Sequence, residues 1–353
     1  MLWDVFCRVI DNHGDLGLCW RLAADLASRG ERVRLWVDDP MALAWMAPQG
    51  ASGVEVIRWA GLLPAVDAGQ VVVEAFGCNP PEDFVAGMAA RAKPPLWINL
   101  EYLSAEPYVE YSHGLPSPQQ TGAGAGLVKW FYYPGFTSAT GGLLREAGAL
   151  QAPSDDENAA WFAAQGVALR PGERCVSLFA YADAPTLSLL QHLDSEPTLL
   201  LLAAGAAQAP ALTLFDAAGR HGQHLRVHAL PWLTQPDYDR LLRACDLNFA
   251  RGEDSIVRAM WAGAPFVWQI YPQRDGAHAA KLDALLDRMC DGAPAALATE
   301  LRALWRAWNG LAAWPAALPE INAWRMLCRD WRARLAAQPD LGSQLLRFVA
   351  AKR

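Results

Sequence analysis

Residues 245–273, CDLNFARGEDSIVRAMWAGAPFVWQIYPQ, constrain the fold of this chain more than any other stretch. Leu247 to Ala250 is a short apolar run that reads as a buried strand. Arg251-Gly252-Glu253-Asp254-Ser255 reads as a turn, Ile256 to Ala262 as a helix ended by Gly263, and Pro265 to Ile270 as a second apolar strand. Strand, helix and strand at this spacing form a βαβ unit, and hence a parallel sheet with helices on its faces. The turn lies where a strand feeds a helix N-terminus. The first backbone N–H groups of a helix lack an intrahelical acceptor and its dipole is positive there, so such a turn is suited to hold a phosphate.

The residue types in the turn bear on that reading. Gly252 permits close approach to the backbone, Ser255 offers a hydroxyl beside the first amides, and Arg251 can give two parallel hydrogen bonds to a phosphate. Glu253 and Asp254 would repel a diphosphate. Taken singly, Asp254 is an ordinary N-cap and Arg251 with Glu253 a surface pair. Taken together, between two buried strands, the five residues read as a site.

The N-terminal stretch repeats the pattern. Trp3 to Ile10 reads as a strand, Asp11-Asn12-His13-Gly14-Asp15-Leu16-Gly17 as a loop, Leu18 to Ser28 as a helix with Cys19, Leu22, Ala23 and Leu26 on one face, and Arg32 to Val37 as the next strand. The loop follows a strand's carboxyl end, where open parallel sheets hold ligands. Its Gly14-x-x-Gly17 spacing is not a dinucleotide fingerprint. Asp11 and Asp15 can be read as a carboxylate pair that holds a cation or takes a proton, or as a turn residue and a helix N-cap. His13 reads as a solvent-facing loop residue, because too few Cys or His have ligand spacing for a metal site.

Further strands are expected at Val54–Trp59, Val71–Phe76 and Pro94–Leu100, and Ser104–Gly126 reads as a long segment poor in regular structure. The glycine run within it, 121–126, has no preceding strand and no following Lys, so it reads as a loop rather than a phosphate cradle. The aromatic run from Lys129 to Phe136 reads as packing. A second α/β series begins after Pro171-Gly172, with strands at Cys175–Tyr181, Thr198–Ala203, Leu225–Leu230, Leu247–Ala250 and Pro265–Ile270. Three of these strand ends converge in such a sheet: Phe179 to Tyr181, Leu230 to Gln235, and Arg251 to Ser255. Trp232 and Gln235 together offer a ring to stack on a base and an amide to pair with its edge; alternatively Trp232 plugs the space beneath its loop. Helical patterns fill the chain after Gln273, the last from Leu341 to Ala351.

A chain of 353 residues exceeds one ordinary core, so two domains are expected. The formal net charge of −7 and the lack of a Lys/Arg-rich run argue against a nucleic-acid backbone reader. The N-terminus lacks the pattern of a signal peptide. No run approaches the ~20 apolar residues of a membrane span. Seven cysteines without a CxxC pair fit a reducing, cytoplasmic setting.

The string ARGEDSxVRAxWAGxPFVWxIYPQ at 250–273 resembles the signature of the bacterial elongation factor P arginine rhamnosyltransferases, and the opening WDVFCRVIDNHGDLGLCWRLAADLASRGERVRLWVDD is similar to theirs. The resemblance implies a GT-B architecture: two Rossmann-like parallel-sheet α/β domains facing across a cleft. Residues 1–155 would form the acceptor-side domain, with 341–353 packing back on it, and 156–340 the nucleotide-sugar domain. It implies an inverting glycosyltransferase that moves L-rhamnose from dTDP-β-L-rhamnose to an arginine of translation elongation factor P, without metal or other cofactor. Asp11 and Asp15 match the family's functional aspartates, which tips both toward catalysis.

On that footing Asp15 is expected as the base, Asp11 as the group that grips the acceptor guanidinium, and Glu253 as the group that holds the sugar or supports Asp15. Phe179, Tyr181, Trp232, Gln235, Arg251, Gly252, Asp254 and Ser255 are expected to bind the donor. The resemblance assigns the Trp232–Gln235 segment to thymine, although the family usually has Phe where this chain has Trp232. Rival readings are a GT-B nucleotide-sugar epimerase, a transferase with a small-molecule acceptor, and a nucleotide-sugar-binding protein without turnover, which would need the 251–255 edge but not Asp11 and Asp15.

Overall fold

The computed structural model describes residues 1–10, 13–59, 67–217, 224–273 and 276–353. The chain divides into two compact units, Met1–Ala147 with Leu335–Arg353, and Gly148–Arg334. In the first unit the order is β1 (Leu2–Cys7), α1 (Gly14–Ser28), β2 (Arg32–Val37), α2 (Leu43–Met46), β3 (Val54–Arg58), β4 (Val71–Ala75), α3 (Glu82–Ala89), β5 (Leu96–Leu100), α4 (Tyr108–Ser112), β6 (Pro116–Pro118) and β7 (Val128–Tyr132). The second unit holds α5 (Asp155–Ala164), β8 (Arg174–Leu178), α6 (Thr186–Leu193), β9 (Thr198–Leu202), α7 (Gln208–Ala217), β10 (Leu225–Ala229), α8 (Gln235–Ala244), β11 (Leu247–Arg251), α9 (Gly252–Ala262), β12 (Phe266–Gln269), α10 (Ala277–Met289) and α11 (Ala295–Trp308). α12 (Ile321–Ala336) ends this series and α13 (Leu341–Lys352) closes the chain.

Each unit has one sheet. The first runs β3-β2-β1-β4-β5-β7-β6, parallel except for β6, which lies antiparallel on β7. The second runs β10-β9-β8-β11-β12, parallel throughout. Helices cover both faces of such sheets, so central strands become nearly all apolar; every residue of β9, Thr-Leu-Leu-Leu-Leu, is buried. The exceptions are paired. Asp4 of β1 accepts two hydrogen bonds from the Arg34 guanidinium of β2, at 2.6 and 2.9 Å, and one from the Trp36 indole at 2.8 Å. Glu74 of β4 meets the Lys129 ammonium of β7 at 2.6 Å. Within the first unit α13 lies on α1, its N-cap Asp340 receiving the Arg29 guanidinium at 2.8 Å.

Several elements depart from the sequence reading. β1 stops at Cys7 rather than Ile10, because side-chain acceptors capture the next amides: Val9 N–H donates to Asp38 at 2.9 Å and Ile10 N–H to Asp15 at 2.9 Å. α1 starts at Gly14, four residues before the expected start, and α9 starts at Gly252 instead of Ile256. The Arg251–Ser255 turn is thus the end of a strand and the first turn of a helix. Gly252 makes the junction with φ +71°, a left-handed conformation that other residues rarely adopt. The segment 104–126 is more ordered than expected, for it contains α4 and the edge strand β6.

Candidate functional site

In an open α/β sheet the crevice for a ligand lies outside the carboxyl ends of the strands, where the strand order reverses. In the second unit that point falls between β8 and β11. Phe179 and Tyr181 follow β8, and Arg251 ends β11 as the N-cap of α9. The Arg251 guanidinium carbon lies 4.5 Å from the centroid of the Phe179 ring and 4.6 Å from that of Tyr181, so two aromatic faces hold one cation. Arg251 is only 5% exposed, which overturns its reading as half of a surface pair. Glu253 meets Lys281 of α10 at 3.1 Å.

The supporting contacts come from neighbouring strands. Tyr181 N–H donates to the side-chain oxygen of Gln269, at the end of β12, at 2.8 Å, and the Gln269 amide donates to Asp183 at 3.2 Å. The Trp268 indole N–H donates to the Gly252 carbonyl at 3.0 Å, which fixes the first residue of α9. Gly205, just past β9, lies against Phe179; a Cβ there would come within 3.1 Å of the ring. Tyr238 of α8 sets its ring edge-on to Phe179, centroids 5.6 Å apart. The Tyr238 hydroxyl is buried beside Ser255 and Asp254. Burial pushes that phenol well up, with Asp254 adding to the effect and Ser255 and Arg251 opposing it.

The remaining expected donor residues fall on this edge. Ser255 is buried in the first turns of α9 with Gly252, Glu253 and Asp254 before it. Asp254 is not the helix N-cap, because Arg251 occupies that position. Gln235 is buried at the first position of α8, whose N-cap Thr234 accepts the Asp237 N–H at 3.2 Å. Trp232 is 49% exposed, so it does not plug the space beneath its loop. Gly205, Tyr238, Asp183, Gln269 and Lys281 carried no local motif. They belong here only through strand order, which spacing does not fix.

In the first unit the order reverses between β1 and β4. Asp15 stands in the first turn of α1, 5% exposed, one carboxylate oxygen accepting the Ile10 N–H. It is not the N-cap, which is His13, but an acidic group in a first helical turn is favoured by the dipole. The structure does not describe Asp11, so its expected role lies outside the described residues. Among the described residues no three His, Cys, Asp or Glu side chains are grouped to hold a metal ion, and no helix is long and apolar enough to cross a membrane.

Comparison with known proteins bears on this arrangement. The sequence model of the family described as elongation factor P (EF-P) rhamnosyltransferase EarP matches residues 3–350. A protein-arginine rhamnosyltransferase of Pseudomonas aeruginosa is 44% identical over 379 aligned residues, covering 99% of this chain and 98% of the relative. One from Neisseria meningitidis is 33% identical over 98% of this chain and 96% of its own length. A solved structure described as the structural basis for EarP-mediated arginine glycosylation of translation elongation factor EF-P superposes with a TM-score of 0.69 at 32% identity, covering 100% of this chain and 99% of that one. The glycosyltransferase VinC in complex with dTDP is similar in fold alone, at a TM-score of 0.54 and 14% identity, covering 100% of both chains.

Proposed function

The chain belongs to the elongation factor P rhamnosyltransferase family and is a glycosyltransferase of GT-B architecture, and on that premise we propose that it moves L-rhamnose from dTDP-β-L-rhamnose to an arginine of elongation factor P, with inversion at the anomeric carbon. The observation that carries this reading is the Arg251 guanidinium held between Phe179 and Tyr181 at the N-terminus of α9. A cation fixed at a helix N-terminus is suited to a diphosphate.

In this reading Arg251, the amides of Gly252, Glu253 and Asp254, and the Ser255 hydroxyl take the diphosphate. They stabilise the charge that develops as the bond from the sugar C1 to the leaving oxygen breaks. No metal is assigned to that task. Trp232 stacks on the thymine and Gln235 pairs with its edge, while Glu253 contacts the rhamnose. The acceptor presents the chemical difficulty, because an arginine side chain is always protonated and has no lone pair to offer. Attack must coincide with proton loss. Asp11 grips the guanidinium through a bidentate pair. Asp15 takes the proton as the C–N bond forms and dTDP departs from the opposite face of the sugar.

Incubation with dTDP-rhamnose and elongation factor P, followed by mass spectrometry of the acceptor, tests this. One deoxyhexose on a single arginine is expected. Free dTDP without modified acceptor would replace the protein acceptor with another, and binding without turnover would leave a nucleotide-sugar-binding protein.

A further inference from the structure

We propose that Gln269 is a positioning residue for the diphosphate of the donor and acts through Arg251. Its carboxamide holds the segment after β8 where Phe179 and Tyr181 clasp the Arg251 guanidinium. The inference rests on the dTDP-sugar reading given above and adds to it a residue that works without contact with the donor.

The placement follows from strand order. β11 lies between β8 and β12, and Arg251 stands opposite Gln269 in the parallel register of β11 and β12. Gln269 is buried, 4% exposed, at the carboxyl end of β12. From there its side chain passes the end of β11 and reaches the segment that follows β8. Tyr181 N–H donates to the Gln269 side-chain oxygen at 2.8 Å, and the Gln269 amide donates to Asp183 at 3.2 Å. A backbone N–H on one side and a carboxylate on the other admit a single orientation of the amide. The backbone that carries it is fixed as well. Asn309, the C-cap of α11, donates to the Trp268 carbonyl at 2.8 Å and accepts the Ile270 N–H at 2.9 Å, one bond on each side of Gln269.

The held segment is the one that shapes the clasp. Phe179 N–H still follows the sheet and donates to the Phe249 carbonyl of β11 at 2.8 Å. Two residues on, Tyr181 N–H has turned to the Gln269 side chain. That contact pins the backbone from which the Tyr181 ring projects, and the ring centroid lies 4.6 Å from the Arg251 guanidinium carbon. A leucine at 269 would take a similar volume but deprive the buried Tyr181 N–H of this acceptor. Leaving a buried N–H unmatched is costly, so the segment would shift toward another acceptor and the ring would leave the guanidinium. Asp183, exposed on the same segment, would be released with it.

Gln269→Leu should lower dTDP affinity roughly tenfold, while thymidine, which lacks the diphosphate, binds as it does to the wild type. Calorimetric titration with dTDP and ligand-observed NMR with thymidine read that ratio. A merely structural loss would weaken both ligands alike. In an Arg251→Ala background the same substitution should change dTDP affinity by less than about twofold, because the effect travels through Arg251. Asp183→Ala approaches the contact from its exposed side and puts the fold at little risk. It frees the carboxamide and should lower the dTDP-to-thymidine affinity ratio by about threefold, although loss of a negative charge alone would raise it. Equal weakening of both ligands, an unchanged or raised ratio, or effects additive with Arg251→Ala overturn the proposal. Wild-type protein that does not bind dTDP would instead overturn the donor reading on which it rests.

Discussion

Arg258 of α9 and Asp239 of α8 form a bidentate ion pair, at 2.9 and 2.7 Å, with side chains only 3% and 10% exposed. The pair ties together the two helices whose N-terminal ends carry Gln235 and Ser255. Removing one member of a buried pair leaves an uncompensated charge, which costs about 3–5 kcal/mol. Asp239→Ala should therefore lower stability by about that amount in chemical denaturation, and dTDP affinity should fall with it as the first turn of α9 loses its brace. Replacing both members, Asp239→Leu with Arg258→Met, should recover much of the stability.

Arg251 supplies both a charge and a planar fork, and its guanidinium lies over the rings of Phe179 and Tyr181. Lysine keeps the charge but not the fork or the stacking. Arg251→Lys should weaken dTDP binding by roughly tenfold and Arg251→Ala by more, as loss of a charged hydrogen bond of about 1.5–3 kcal/mol implies. Calorimetric titration with dTDP would measure both. Equal affinity in the Lys variant and the wild type would show that the fork does not reach the diphosphate.

Trp232 tests the base contact with little risk to the fold, because half of its surface is already exposed. Stacking of an aromatic on a base contributes about 1–3 kcal/mol. Trp232→Ala should weaken dTDP binding by roughly five- to 150-fold while the melting temperature barely moves. Trp232→Phe should restore most of the affinity, because a phenyl face also stacks.

What could be read from the chain before its structure follows from where the information lies. The βαβ alternation was legible because buried parallel strands are apolar runs and the helices between them have a 3.6-residue period; β9 and α13 fall within a residue or two of their expected bounds. Helix starts at Gly14 and Gly252 were hidden, because glycine and clustered acidic residues look like a turn until the backbone shows that they are a first helical turn. Arg251 stood out in the sequence as a candidate, but its clasp by Phe179 and Tyr181 was not legible, since that depends on β8 lying next to β11. The place of Tyr238 beside Phe179 was hidden for the same reason, since it sits in no motif and meets that ring only through packing.

Asp340 predicts an acid-sensitive contact. It caps α13, accepting the Ser343 N–H and hydroxyl at 2.8 Å each, and it meets Arg29 of α1 at 2.8 Å. Burial alone would push its carboxyl up, but the Ser343 hydrogen bonds and the Arg29 charge outweigh burial and hold it below the usual value of 3.8. A depressed carboxylate stabilises the fold above its unfolded value, and that contribution is lost as pH falls through its folded value. Hydrogen exchange in α13 should therefore accelerate below pH ~4 relative to α1. Asp340→Ala should abolish this pH dependence and cost about 1 kcal/mol at neutral pH through the lost cap.

Asp15 separates chemistry from binding. It stands in α1 of the first unit, with one oxygen fixed by the Ile10 N–H, while the residues assigned to dTDP belong to the second unit. Asp15→Asn keeps the size and an acceptor oxygen for Ile10 but cannot take a proton. If Asp15 is the base, transfer to the acceptor protein should fall by about 10²–10⁴-fold in kcat, with dTDP affinity and melting temperature close to wild type. A melting temperature that drops with the rate would assign Asp15 to bracing the strand–helix junction instead. Single-turnover transfer at saturating donor and acceptor distinguishes the two outcomes, because it excludes product release and reads the proton-dependent step alone.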